Sequence, residues 1–469
     1  MEKLYISDPT ERMDLFSVSN GSNNAHVLLV SYPAQGHVAP FMKLSHLLSA
    51  CGAKVTLVTT QSKHARIVDQ EQGPVSIVSV PDGLESEDDR KDVTKLSQSI
   101  IRVMPAYVEE LIKKINQNEE QGDQKITCVV ADSLCGWALE LAGKFGIKRA
   151  MFFTAAPGSL ALTLHIPKLI QAGIINLDGA VRKNDNVELS PNLPTLSPAE
   201  FMWNNPGHPS LQKIMFEYVK SVNQTVELSD WVLCNWFQGL DPSADHLLPN
   251  IIPVGPLLAN GKPSGNFWSE DLTCLSWLDR QPPGSVIYAA FGSTSVFSQH
   301  QFNELALGLE LVGRPFLWVV RPDLSNGNSN DYPNGFTQSV ANIGRMVQWA
   351  PQEKVLAHPS LACYLTHCGW NSTMEGLSMG VPFLCWPYCA DQFYNKSCIC
   401  EDWKVGLCLS KDENGIITRH EIKKKVEELL SSDGIRKNAL NMKALAQESV
   451  SPGGSSSKSL EYFVNQIKG

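Results

Sequence analysis

Residues 367–375 read His-Cys-Gly-Trp-Asn-Ser-Thr-Met-Glu and follow directly on an apolar run at 363–366. Gly369 permits a tight turn, and Trp370-Asn371-Ser372-Thr373 then opens a helix closed by Gly380. A helix N-terminus offers free N–H groups and the positive end of a dipole, a ready seat for a phosphate. Asn371 and Glu375 are four apart and share a face, with Ser372 able to donate beside them. Simple N-capping by Asn371 or Ser372 would explain the same residue types.

Other polar groups sit where apolar runs end. The run 26–30 leads into Ser31-Tyr32-Pro33-Ala34-Gln35-Gly36-His37, and 126–131 ends at Asp132. The run 285–291 leads into Gly292-Ser293-Thr294, and 345–349 into Ala350-Pro351-Gln352. One such histidine is usually structural. Open α/β sheets, however, bind ligands outside the carboxyl ends of their strands, so convergence in both halves of the chain predicts an interdomain cleft.

The runs that position these groups form two sets. The first is 26–30, 54–59, 126–131, 149–154 and 231–235; the second is 285–291, 316–320, 345–349, 363–366 and 381–386. Continuous apolar strands separated by helical stretches predict parallel sheets covered on both faces, hence two doubly wound α/β domains. Pro253, Pro256, Gly261, Pro263 and Gly265 mark the boundary between them. Thr418-Arg419-His420-Glu421 has capping-box spacing before a helix reaching Leu430. Pro452-Gly453-Gly454 breaks the chain before a last helix at 459–467.

Composition narrows the function classes. A formal charge of −9 gives no electrostatic footprint for nucleic acid or anionic lipid, so an anionic ligand must be held by local donors. Most of the 12 cysteines lie in apolar runs without paired C-x-x-C units, which argues against structural zinc and fits a reducing cytosol. Residues 1–24 carry charges and no apolar core, and no stretch is long enough to span a bilayer; a cytoplasmic protein is expected. The Asn20, Asn223, Asn371 and Asn395 sequons then carry no sugar. Neither a P-loop nor a G-x-G-x-x-G fingerprint is present, which weighs against a P-loop enzyme and a dinucleotide oxidoreductase.

Residues 349–392, "WAPQEKVLAHPSLACYLTHCGWNSTMEG" through "GVPFLCWPYCADQ", resemble the signature box of plant family-1 (secondary-product) UDP-glycosyltransferases. "YPAQGHV" at 32–38 and "FGS" at 291–293 are similar to that family as well. "IPKLIQAGIINLDG", "PNIIPVGPLL" and "LALGLELVGRPFLWVVRPD" look most like its subfamily numbered 83. The resemblance implies a GT-B fold of two facing Rossmann-like domains. Its divisions would be a tail at 1–24, an acceptor domain at 25–252, a linker at 253–270, a UDP-sugar domain at 271–450, and a helix at 451–469 returning to the first domain.

By matched position, His37 would be the general base and Asp132 its orienting partner, a pairing suited to taking a hydroxyl proton near neutral pH. Trp349 would stack on uracil and the backbone of Ala350 read its edge. Gln352 and Glu375 would bond the ribose; Ser293, His367, Asn371 and Ser372 the diphosphate; Trp370, Asp391 and Gln392 the sugar, with Thr154 a further contact. The implied reaction moves glucose from UDP-glucose, as co-substrate and without a metal, to a hydroxyl of a small lipophilic acceptor, inverting to a β-glucoside. The acceptor pocket is placed on 81–93, Trp137, Phe152, Phe153, Phe201 and Trp203, with flavonoid or phenylpropanoid phenols ahead of terpenoids. A monomer is expected. The alternatives are a non-catalytic UDP-sugar-binding protein and the same chemistry on carbon, nitrogen or sulfur nucleophiles.

Overall fold

The computed structural model describes residues 25–68, 74–117, 125–190, 193–205, 207–240, 248, 250–325 and 331–468; the polar tail 1–24 lies outside them. In the first half the strands are β1 (His26–Val30), β2 (Lys54–Thr60), β3 (Val75–Val80), β4 (Cys128–Asp132), β5 (Lys148–Phe153), β6 (Trp231–Cys234) and β7 (Ile251–Pro253). In the second they are β8 (Val286–Ala290), β9 (Phe316–Val319), β10 (Gly344–Val347), β11 (Leu361–Thr366), β12 (Phe383–Cys385) and β13 (Gly406–Cys408). The sheet orders are β3-β2-β1-β4-β5-β6-β7 and β10-β9-β8-β11-β12-β13. Every pairing within them is parallel.

Burial on both faces explains the unbroken apolar runs. In β1, Val27 and Leu29 face Phe41, Leu44 and Leu48 of the helix Gln35–Ala50. Leu28 and Val30 face the other layer, with Ile100, Met104 and Val108 of the helix Val93–Asn116. In β8, Ile287 and Ala289 pack with Phe302, Leu305 and Leu309 of the helix Gln299–Val312. Tyr288 and Ala290 share the opposite layer with Met374 and Leu377 of the helix Trp370–Met379. That second layer is continuous across the two domains, joining Trp236 and Phe237 to Trp370 and Met374.

Ten strands coincide with the apolar runs to within two residues at either end. The remaining three, β3, β7 and β13, lie at or next to sheet edges, and the last two have only three residues each. β3, Val-Ser-Ile-Val-Ser-Val, is interrupted by two serines and only part-buried, so it shows no unbroken apolar run, and β7 and β13 are too short to show a period of their own. Thr418 caps the helix Arg419–Ser431 through the Glu421 N–H, but the Glu421 carboxylate turns to the Ser410 N–H instead of closing the box.

The last helix, Ser455–Ile467, begins four residues earlier than the sequence suggested and packs on the first sheet. Leu460, Phe463, Val464 and Ile467 join the layer of Phe41, Leu233 and Ile252. Phe463 meets Trp231 edge-on at 5.8 Å, and Lys148 donates to the Gln466 and Lys468 carbonyls at 2.8 Å. Truncating a buried phenyl ring removes transfer energy and leaves a cavity, so Phe463→Ala should destabilise the full chain by roughly 3–5 kcal/mol. Tyr462→Ala, beside it but half exposed, should shift stability by no more than about 0.5 kcal/mol. Guanidinium unfolding of both variants, followed by tryptophan fluorescence, checks the contrast.

Candidate active site

Each sheet reverses its winding at one pair of strands, β1/β4 in the first domain and β8/β11 in the second. Loops leave such a pair in opposite directions and open a crevice at the carboxyl ends. At the first crevice stand His37, two residues into the helix after β1, and Asp132, the last residue of β4. His37 Nδ1 lies 2.7 Å from Asp132 Oδ2. The other carboxylate oxygen, Oδ1, accepts the Leu134 N–H at 2.9 Å, which sets the carboxylate plane. Thr154, just beyond β5, brings its hydroxyl to 3.3 Å from the same Nδ1. Asp132 is fully buried and the His37 side chain a quarter exposed, so the dyad has a fixed inner end and an accessible outer end.

Burial by itself would lower the His37 pKa. The charge and hydrogen bond of Asp132, joined by the charge of Asp391, outweigh it and leave the imidazole above its ordinary value. Asp391 belongs to the second domain, so this coupling already spans the cleft. Burial pushes the Asp391 carboxyl up to about 6, against the pull of the Asn395 hydrogen bond and of His37.

At the second crevice the His367 ring packs against Gly292 and Gly369, and a Cβ on either would collide with its Nε2. Gly292 also has φ +65°, a conformation that favours glycine. Burial first, then the Arg321 charge, lowers the His367 pKa to about 4, so the ring is neutral near pH 7. It can donate to a phosphate as an ordinary N–H but not as a cation. Gly369 caps the helix Trp370–Met379 with no side-chain cap, so neither Asn371 nor Ser372 is an N-cap. Gln352 donates to Ser372 Oγ at 2.9 Å and to Glu375 Oε2 at 2.7 Å, and its carbonyl accepts from the Tyr288 and Tyr364 hydroxyls. Glu375 therefore presents a braced carboxylate.

Several of the same residues also tie the domains together. Asn371 Nδ2 donates to the Gly36 carbonyl at 2.9 Å, immediately before His37. The Trp370 indole N–H donates to the Asn235 carbonyl at 2.8 Å, so only its backbone is left to meet a sugar. The Gln392 carbonyl accepts the Tyr388 and Cys389 N–H groups and shapes the loop that carries Asp391. Among the described residues, no group of three His, Cys, Asp or Glu side chains converges to hold a metal.

Residues 211–452 match the family model described as UDP-glucoronosyl and UDP-glucosyl transferase. The chain is 42% identical to UDP-glycosyltransferase 83A1 of Arabidopsis thaliana, covering 96% of this chain and 99% of that one. It is a UDP-glycosyltransferase. Its GT-B fold superimposes on Phytolacca americana UGT2, solved with UDP-2fluoro-glucose and pterostilbene, with TM-score 0.79, 26% identity, and 95% and 99% of the two chains covered. A Polygonum tinctorium UDP-glucosyltransferase gives TM-score 0.80 at 28% identity, with 95% and 98% covered.

The aromatic residues expected at the acceptor pocket fall into two groups. Phe152 points into the layer behind the sheet, edge-on to Phe41 at 5.0 Å and fully buried. Phe201 and Trp203 form a packed group with Phe216, and the Trp203 indole N–H is committed to the Gly179 carbonyl. All three are packed among core side chains, and strand alternation turns Phe152 toward the layer opposite Phe153. Trp137, half-buried at the start of the helix after Asp132, and Phe153, at the end of β5, remain beside the dyad's strands. In 81–93, buried Asp82 pairs with Arg90 at 2.8 Å and braces that loop.

Two residues of the nucleotide side escaped the sequence reading. Trp268 stacks on Trp349 with centroids 4.6 Å apart and covers one face of its ring. Arg321, 2% exposed, donates to the Ser293 carbonyl at 2.9 Å and the Ser295 carbonyl at 2.6 Å, holding the loop after β8. An arginine closing the apolar run 316–320 was its one signal. Trp349→Ala and His367→Ala should each weaken UDP binding by about 1–3 kcal/mol through lost stacking or donation. Because His367 stays neutral well above pH 4, its loss should cost the same at pH 6 and pH 8. Calorimetry on folded variants measures both, and a cost confined to pH 6 would contradict the neutral ring.

Proposed function

We propose that this transferase moves glucose from UDP-glucose to a hydroxyl of a small, largely apolar acceptor, giving a β-glucoside by inversion. A flavonoid or phenylpropanoid phenol is the favoured acceptor class, with a terpenoid alcohol next. The observation that carries this reading is the 2.7 Å contact between His37 Nδ1 and buried Asp132 Oδ2, facing Asp391 across the cleft. With Nδ1–H donated to the carboxylate, Nε2 is the free base. A phenol, with a pKa of about 10, is neutral at pH 7 and must lose its proton as it attacks. The acceptor oxygen bonds to C1 of glucose, its proton passes to His37 Nε2, and the C1–O bond to UDP breaks with its electron pair leaving on the diphosphate. Asp132 stabilises the imidazolium that results. Backside attack on the α-linked donor inverts C1.

On the leaving side, Ser293, His367, Asn371, Ser372 and the helix N-terminus would supply neutral donors to the diphosphate, so the proposed step uses no metal. Glu375 and Gln352 would take the ribose, Trp349 and the Ala350 backbone the uracil, and Asp391 with Gln392 the glucose. Thr154 would steady the dyad beside the sugar. Neighbour names support the donor and the acceptor class: one was solved with UDP-2fluoro-glucose and pterostilbene, and another is described as capable of glucosylating indoxyl. All 12 cysteines are free, most of them buried, which suits action in the reducing cytosol. No helix among the described residues is long and apolar enough to cross a membrane.

His37→Ala should lower kcat by about 10²- to 10⁴-fold while UDP affinity holds, since the proposed UDP contacts lie in the other domain. Asp132→Ala should also be damaging, and the double variant little worse than His37→Ala, because the pair acts as one unit. Near wild-type turnover of an ordinary phenol by His37→Ala would refute the dyad. The base works only when unprotonated, so kcat/KM for an un-ionised acceptor should fall as pH drops through the raised His37 pKa. Asp132→Asn removes the main upward influence, so its residual activity should keep its plateau to lower pH. Parallel kcat/KM measurements should favour UDP-glucose over UDP-galactose, reflecting Gln392 at the end of the box; equal values would count against that assignment.

A further inference from the structure

One lysine ties the ribose end of the nucleotide site to the opposite domain. Lys43 lies on the helix Gln35–Ala50 of the acceptor domain and is 6% exposed. Its Nζ is 2.5 Å from Glu375 Oε1 and 2.6 Å from Glu353 Oε1. Glu375 Oε2 is taken by Gln352, and Glu353 also accepts the Ala259 N–H from the connecting segment. Burial alone would lower the lysine's pKa, but the two carboxylates outweigh it and hold it charged. Nearby Glu270 is pushed upward by burial, and the Glu353 and Glu375 charges raise it further, so the surroundings are rich in negative charge. Lys43 meets them from the buried side, and Lys354 acts on Glu270 from the exposed side.

We propose that Lys43 is a positioning residue for the donor. By pairing with Glu375 and Glu353 across the cleft, it holds the Glu375 carboxylate oriented to accept a vicinal diol. This rests on the reading of Glu375 as the ribose residue. Each carboxylate oxygen has two acceptor directions, so Lys43 and Gln352 can occupy one on each and leave the others to the two hydroxyls. Without the cation, the two neighbouring carboxylates would repel each other and oppose an incoming diphosphate. Donor recognition by the nucleotide domain thus depends on the acceptor domain being docked.

The test compares binding of UDP and 2′-deoxy-UDP by calorimetry in wild type, Lys43→Met, Glu375→Gln and the double variant, with KM and kcat for UDP-glucose alongside. Lys43→Met should weaken UDP about tenfold or more and 2′-deoxy-UDP distinctly less. KM should rise with kcat at saturating donor nearly unchanged, and the double variant should bind UDP no worse than Glu375→Gln. Lys43→Gln, which keeps a donor but loses the charge, gives a second reading should the methionine variant fold poorly. Unchanged affinities, or equal losses for the two nucleotides, would overturn the proposal. Tighter UDP binding would overturn it too, by showing that Lys43 obstructs the diol. If Glu375→Gln keeps the UDP preference, the ribose reading itself fails and this inference falls with it. If Glu375→Gln loses that preference while Lys43→Met keeps it, only the role of Lys43 is lost.

Discussion

The reversal of winding within each sheet constrains everything else in this molecule. A parallel strand can return to its sheet only by a crossover through a covering helix, and helices on both faces leave one gap where neighbouring crossovers part. Here the gaps lie at β1/β4 and β8/β11. The first holds the His37–Asp132 pair; the second holds His367 between two glycines and the N-terminus of Trp370–Met379. Neither gap contains a complete site. A glycosyl group passing from a UDP-sugar to an acceptor must meet both partners, so function depends on how the two gaps are held together.

The hold is chemically specific. Asn371 bonds the carbonyl next to His37, Trp370 bonds Asn235, and Lys43 reaches Glu375 and Glu353. Gln35, on the same helix as His37 and Lys43, accepts the Phe267 N–H and donates to Asn266 in the connecting segment that also presents Trp268 to Trp349. Residues placed to meet the donor therefore double as clasps, and one helix of the acceptor domain carries base, clasp and cation. A small shift of that helix would disturb proton transfer and nucleotide recognition together.

Electrostatics divides the labour between two histidines. Each follows a strand of its domain's sheet, and loss of solvent around each ring pushes it toward neutrality. His37 is pulled back up by two carboxylates and can become an imidazolium during transfer. His367 has Arg321 behind it and stays neutral, fitted to donate a hydrogen bond without changing charge. Asp391, raised by its own burial, remains close enough to His37 for the two charges to influence each other across the cleft. The same residue type performs different work because its neighbours differ.

Apolar runs buried on two faces, with polar residues and glycines at their ends, made the two-domain plan legible from local order, whereas the roles expected of the donor residues came from the resemblance of 349–392 to a family signature. The box at 349–392 is nearly continuous in the chain, so its residues are neighbours before folding begins. β3, β7 and β13 were illegible because each is an edge strand without a long unbroken apolar run, whereas three-residue β12 lies within the apolar run 381–386. The burial of Phe152, Phe201 and Trp203 was not legible, because aromatic type does not reveal which face of a sheet or which side of a packed cluster a ring occupies. Lys43, Arg321 and Trp268 could not be connected to Glu375, Ser293 and Trp349 at all. Their partners lie 332, 28 and 81 positions away in the chain. Such pairings depend on desolvation and on how the two domains dock, and only tertiary structure decides either.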